Sequence, residues 1–313
     1  MKNQSRRRRI LKDKFGKGPG KVVLLDKPCG PTSHDAVLWT RRSLGTSRVG
    51  HSGTLDPFAS GLLLIMTGWA TRISEYLTVL PKRYRATIRF GMTTDTDDST
   101  GAVVKKNDRW KELSKNDITN GLRRFEGHIS QTPPQYSAKK IQGEAMYRKA
   151  RRGERVQLDP VGIEISRISL IQLNLPSIII EVECSSGTYI RSLARDLGET
   201  LGVEAHLSAL RRLSVGKFSV EDCIDLDSLR NGIVPDKKAV VEIPGALGHL
   251  RSISVEEDIS RQLRNGMPVS CPDRKYEHGE IIVVLSKGGE LIGMAEIDQE
   301  IIRPKKIVPG LIV

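Results

Sequence analysis

Aromatic residues make up only 4% of this 313-residue sequence, so its core must be mainly aliphatic. Cysteine is scarce as well. Cys29, Cys184, Cys223 and Cys271 form no C-x-x-C pair, so their spacing offers neither a zinc ligand set nor a redox motif. They read as ordinary thiols of a reducing cytoplasm. No apolar run approaches the roughly 20 residues of a membrane-spanning helix. The basic N-terminus has no apolar stretch behind it, so it is not expected to be a secretory signal. Walker and Rossmann glycine patterns are absent. Asp95-Thr-Asp-Asp98 has the start of a calcium loop, but Thr100 replaces the required glycine and Lys106 the required glutamate. No metal site is expected.

What the sequence does have is positive charge, and it is localised. The formal net charge is +13. Residues 1–21 hold nine basic residues against one acidic, and residues 139–155 hold seven against two. The remainder is balanced. Charge gathered in two places fits a polyanionic partner touched at two points; the alternative is a solubilising tail and one solvated helix face.

The chain divides by composition. Residues 1–20 end in Gly-Lys-Gly-Pro-Gly and read as a basic flexible arm. A larger domain is expected over 21–244 and a small β-rich module over 245–313. Lys21 to Leu25 and Leu62 to Met66 read as buried strands, and Thr32 or Ser33 as the cap of a helix reaching Leu44. Tyr84, Ala86, Ile88 and Phe90 alternate with Arg83, Arg85, Thr87 and Arg89, the period of a half-buried strand. Helices are expected over 111–125, 139–155, 185–201 and about 255–265. Strands are expected over 161–171, 178–184, 281–285 and 291–297, with a short element at 205–210 leading to another strand. Strands and helices mix without regular βαβ alternation, so the fold class is α+β.

The sharpest motif is Gly50-His-Ser-Gly-Thr-Leu-Asp56-Pro-Phe-Ala-Ser-Gly61. Glycines let the backbone bend and approach a ligand closely. Pro57 drives Asp56 away from helical conformation. The loop thus presents one carboxylate in a fixed pose. A plain tight turn, with Asp56 bonded to its own backbone, is the competing reading.

GHSGTLDPFASGLL resembles the segment that carries the active aspartate in the TruB family of pseudouridine synthases. Further segments resemble that family in its order: LLDKPCGPTSHDAV (24–37), KRYRATIRFGMTTDTDDSTG (82–101), QTPPQYSAKKIQGEAMYRKARRGE (131–154), CSSGTYIRSLARDLGETLG (184–202) and AHLSALRRLSVG (205–216). The likeness is continuous over about 21–220. It implies a pseudouridine synthase fold with a mixed central sheet, a thumb insertion at about 131–157 and a PUA-like C-terminal RNA-binding domain. It implies isomerisation of the T-loop uridine at position 55 of tRNA by base flipping. Its implied partner is the T-arm of tRNA; a monomer, with no obligate protein partner and no membrane, is expected.

The chemistry suits those residues. Breaking uracil N1 from ribose C1′ and rejoining through C5 neither gains nor loses atoms, so no cofactor is required. A carboxylate can hold one fragment meanwhile, and the resemblance gives this role to Asp56. Attack on C6 of the base or on C1′ of the ribose both remain open. Arg191, in the first turn of a helix, is unfavourable with the dipole and wants a carboxylate; it would also keep Asp56 ionised. By resemblance it is the aspartate's partner. The same resemblance implies that Tyr84 stacks on the flipped uracil and assists proton removal from C5, that Tyr189 lines the pocket and that Leu210 is its apolar contact. It implies that His51 fills the gap left by the flipped nucleotide, and that Lys139, Lys140, Arg148, Lys149, Arg151 and Arg152 of the thumb lie along phosphates. A non-catalytic RNA chaperone and a base-excising glycosylase are the rival classes. Turnover on unmodified tRNA separates the first, and release of free uracil the second.

Overall fold

The computed structural model describes residues 19–136, 158–233, 235–271 and 275–309, together with Arg152 and the backbone of 140–141 and 144–145. Val22–Lys27 and Ser60–Thr67 pair antiparallel inside an eleven-stranded mixed sheet. Both strands are buried on two faces, which is why they read as unbroken apolar runs. The main path runs Ile224–Asp225, Val22–Lys27, Ser60–Thr67, Ala205–Val215, Lys82–Phe90, Ser177–Cys184, Val161–Asn174, Gly127–Gln131. Along it, only two contacts are parallel: Val22–Lys27 with Ile224–Asp225, and Ser60–Thr67 with Ala205–Val215.

Strand Lys82–Phe90 buries Lys82, Tyr84, Ala86, Ile88 and Phe90 and turns its arginines to the other face, as the alternation predicts. Against its buried face lies helix Ile190–Thr200, through Leu193, Ala194 and Leu197. Helix Ser33–Leu44 starts at a capping box made by Thr32 and Asp35 and stops at Gly45, whose φ of 64° ends it in the left-handed region.

Several local expectations are revised. The element at 205–210 is the first half of one strand, Ala205–Val215, which absorbs two register shifts against Lys82–Phe90. Bulges break the period of two, so the strand does not announce its length. The helix expected from Ser185 begins only at Ile190, after a turn in which Gly187 has φ 84°. The basic segment 139–155, expected helical, contains a two-stranded ribbon, Lys140–Ile141 with Glu144–Ala145. Glycine at 143 favours a hairpin over a helix there. Most of that segment lies outside the described residues, as does the arm up to residue 18.

Beyond Leu250 a five-stranded sheet runs Ser252–Val255, Ile281–Ser286, Leu291–Asp298, Ile301–Ile307, Val269–Ser270, with helix Glu257–Arg264. Ile282, Val284, Ile292 and Ile302 pack with Leu263 in its own core. Val283, Leu291, Met294 and Val308 instead join Leu62, Leu64, Met66 and Trp69 of the larger unit in a shared core. The Trp69 indole donates to the Ile307 carbonyl at 2.9 Å, and Lys306 Nζ donates to the Arg72 carbonyl at 2.6 Å. Among the described residues, no helix is long and apolar enough to cross a membrane.

Candidate active site

Asp56 sits in the loop between strands Val49–Ser52 and Ser60–Thr67, and the loop is braced from outside. The Ser33 hydroxyl accepts from Leu55 N–H at 2.9 Å and donates to Leu55 C=O at 3.0 Å. Gly30 N–H donates to Pro57 C=O at 2.7 Å, and Ala59 N–H to Asp56 C=O at 3.1 Å. Thus Gly30 and Ser33, from the Pro/Gly-rich segment and the first residue of the helix it leads into, clamp the peptide on each side of Asp56. A plain turn needs no such brace. Gly61 leaves the loop at φ 108°, and a Cβ there would meet the Arg212 carbonyl at 2.2 Å. Only glycine lets these two strands close.

Arg191 enters from helix Ile190–Thr200. Tyr189 precedes the helix without capping it by its side chain. Buried Gln131 holds it instead: its amide donates to Tyr189 C=O at 3.1 Å and accepts from Tyr189 N–H at 2.8 Å. Each nitrogen of the Arg191 guanidinium then lies beside a protein oxygen. Nε lies 3.0 Å from Asp56 Oδ2, and Nη1 lies 3.5 Å from Asp98 Oδ2. Nη1 also donates to Thr96 C=O at 3.1 Å, and Nη2 to Tyr136 C=O at 2.7 Å.

Asp98 is itself fixed. Its Oδ1 accepts from the Thr100 hydroxyl at 2.6 Å, the Thr100 amide at 2.9 Å and the Thr96 hydroxyl at 2.8 Å. Asp97 pairs with Arg195 at 2.9 Å. The acidic run that began like a calcium loop therefore neutralises two arginines of one helix. Burial raises the Asp56 carboxyl pKa; Arg191 pulls it down and Asp98 adds to the rise. The pull toward ionisation expected from Arg191 is present, set against a larger effect of withdrawal from water.

Asp56, Tyr84, Tyr189, Arg191 and Leu210 come together on one pocket of about 230 Å³. The Tyr84 ring is buried, and burial raises its hydroxyl pKa against the pull of Arg212. His51 is not among the residues lining this pocket. Its strand runs beside Ser60–Thr67, and its Nδ1 is buried without a protein partner. Burial and the Arg212 charge hold His51 below the usual histidine pKa. Arg152 is exposed, while Lys139, Arg148, Lys149, Arg151 and the Lys140 side chain lie outside the described residues.

Sequence reasoning missed three buried cations beside this pocket. Arg212 is 1% exposed and gives its Nε to Leu62 C=O at 2.7 Å and its Nη2 to Gly53 C=O at 3.0 Å. Lys27 donates to the carbonyls of Pro28 and Pro31, both at 2.9 Å, and burial lowers its pKa to about 8. Lys82 lies on the same strand face as Tyr84. A cation falling in phase with buried apolar residues, as Lys82 does, was the available signal.

The chain matches the model of the TruB family pseudouridylate synthase N-terminal domain over residues 41–190 and that of the tRNA pseudouridylate synthase B C-terminal domain over 191–250. It is 40% identical over 261 residues to tRNA pseudouridine synthase B of Geobacter sulfurreducens, spanning 82% of this chain and 84% of that one. To the Prochlorococcus marinus protein of that name it is 38% identical over 306 residues, spanning 93% and 96%. In fold it resembles a chain of a solved Cbf5-Nop10-Gar1 complex, with TM-score 0.72 at 24% identity over 93% of this chain and 87% of that one. The chain therefore belongs to the TruB family of tRNA pseudouridine synthases, isomerases that convert uridine to pseudouridine in tRNA.

Proposed function

We propose that this enzyme acts on the T-loop uridine at position 55 of tRNA, flips it into the pocket and uses Asp56 as nucleophile. One observation carries the reading: the Asp56 carboxylate, held 3.0 Å from Arg191 Nε, lines a pocket that Tyr84 and Leu210 also line. An aromatic and an aliphatic wall suit a base removed from its stack. Asp56 holds one fragment while the N1–C1′ bond breaks and the uracil turns. C5 then bonds C1′, the Asp56 bond is released, the C5 proton leaves with the help of Tyr84, and N1 takes up a proton. The product has the same composition as the substrate, so no redox or group-transfer cofactor is required. Arg191 has every nitrogen committed to a protein oxygen. It orients the carboxylate and balances its charge; it is not a proton donor.

Tyr189 walls the pocket, and His51 takes the place vacated by the flipped nucleotide. The insertion at 131–157 is the thumb, with Lys139, Lys140, Arg148, Lys149, Arg151 and Arg152 along the phosphates of the T-arm. The domain limits at 21–244 and 245–313, a PUA-like RNA contact by the second domain, a monomeric state and a cytoplasmic location belong to the same reading. Incubation of unmodified tRNA transcript with the enzyme and a metal chelator, followed by site-resolved pseudouridine mapping, tests it. Product at position 55 is expected; product elsewhere alone, or none with chelator, refutes it.

The Asp98 network gives a second check. In Asp98→Ala, Arg191 loses its rear partner and two threonines lose their acceptor. Truncating one member of a buried charge pair costs about 2 kcal/mol or more. The single-turnover rate should drop by at least about tenfold, while tRNA affinity holds. A rate equal to wild type would remove Asp98 from the positioning of Arg191.

A further inference from the structure

Lys82 opens the strand that carries Tyr84, and the period of two sets both on its buried face. It is 8% exposed and lines the pocket beside Arg212. A buried ammonium ordinarily keeps a carboxylate at hand. Among the described residues, Lys82 has none. Its ammonium donates to the Thr78 carbonyl. The nearby charge that acts on it most is that of Arg212, which repels it. Burial, with that repulsion, lowers its pKa to about 8. Arg212 meanwhile directs its donors to the Leu62 and Gly53 carbonyls. An ammonium has three N–H groups. Lys82 thus brings a cation and further donors to a pocket whose own carboxylate, Asp56, is paired with Arg191.

We infer that Lys82 contacts substrate and binds an anionic oxygen of the flipped nucleotide. The inference rests on the pocket reading given above. Two oxygens have this chemistry. One belongs to the nucleotide's phosphate. The other is a uracil carbonyl, charged during reaction by either route. Attack on C6 pushes the C5–C6 electron pair through the ring onto O4. Attack on C1′ expels N1 with its bonding pair and leaves that charge spread over O2 and O4. A desolvated cation acts most strongly where such charge develops.

The experiment compares wild type, Lys82→Met and Lys82→Gln in tRNA binding and in single-turnover rate at saturating enzyme. Methionine preserves the length of the stem and suits a buried site, so its melting temperature should match or exceed wild type. Both variants should lose at least about tenfold, the worth of one charge-assisted hydrogen bond. A loss in affinity alone identifies the phosphate. A loss in saturated rate alone identifies the uracil oxygen. Folded variants equal to wild type in both measurements overturn the inference. If Asp56→Asn still made pseudouridine, the pocket reading itself would fail, a result that Lys82 variants do not produce.

Discussion

Asp56→Asn should fold, bind tRNA with near wild-type affinity and form no pseudouridine, even with enzyme in excess over RNA. The amide keeps the size and shape of the carboxylate. The braces from Ser33 and Gly30 reach backbone atoms of Leu55 and Pro57, so they survive the change. Binding is expected to come mostly from phosphate contacts away from the pocket. What disappears is the anionic oxygen, and an amide is no substitute as a nucleophile. Arg191 retains Asp98 at 3.5 Å, so its charge is not stranded. The stability cost should stay within about 1 kcal/mol, the range of a hydrogen bond changed but not lost. Single-turnover yield beside a binding curve decides the matter. Substantial product would leave the braced loop with only a structural role.

Gly61→Ala should be the most destabilising of the substitutions considered. Its Cβ would lie 2.2 Å from the Arg212 carbonyl oxygen and 2.7 Å from the Arg212 nitrogen, both backbone atoms of a paired strand. Neither can swing aside as a flexible side chain would. The φ of 108° adds strain of its own. A total of about 4 kcal/mol or more is expected, in the range reserved for core disruption. That corresponds to roughly 10 °C in melting temperature for a domain of this size. Gly53→Ala is the control. It shares a positive φ, but its Cβ meets only the Arg212 side chain, at 3.4 Å. It should cost nearer 1 kcal/mol, the ordinary penalty for a left-handed residue. Similar melting temperatures for the two variants would show that the strand contact at Gly61 yields.

How far the sequence foretold this site depends on whether a residue's partners are local. Asp56 was legible as a carboxylate in a fixed pose because its glycines and Pro57 are its neighbours, but its chemical role came from the family resemblance. Tyr84 was legible as part of a strand, through strict alternation, and Arg191 through the amphipathic helix behind it. Lys27, Lys82 and Arg212 were not. Lys27 takes local carbonyls, but its burial comes from the sheet. Arg212 finds its acceptors at Leu62 and Gly53, far away in the chain. Asp98 was weighed only as a metal ligand, because Arg191 is also remote in sequence. Strand Ala205–Val215 was read as two pieces because its register shifts hide the alternation.

That strand has a consequence for how the protein is made. Ala205–Val215 lies between Ser60–Thr67 and Lys82–Phe90, the two strands nearest Asp56 and Tyr84. During synthesis the earlier strands leave the ribosome first, yet they have no direct pairing with one another to hold them. The nascent chain must keep two apolar strand edges apart until residue 215 has emerged. Pairings between such distant segments are slow to form, and their unpaired edges invite association with other chains. The pocket is therefore a late product of folding, assembled only after the strand that separates its two walls has joined the sheet.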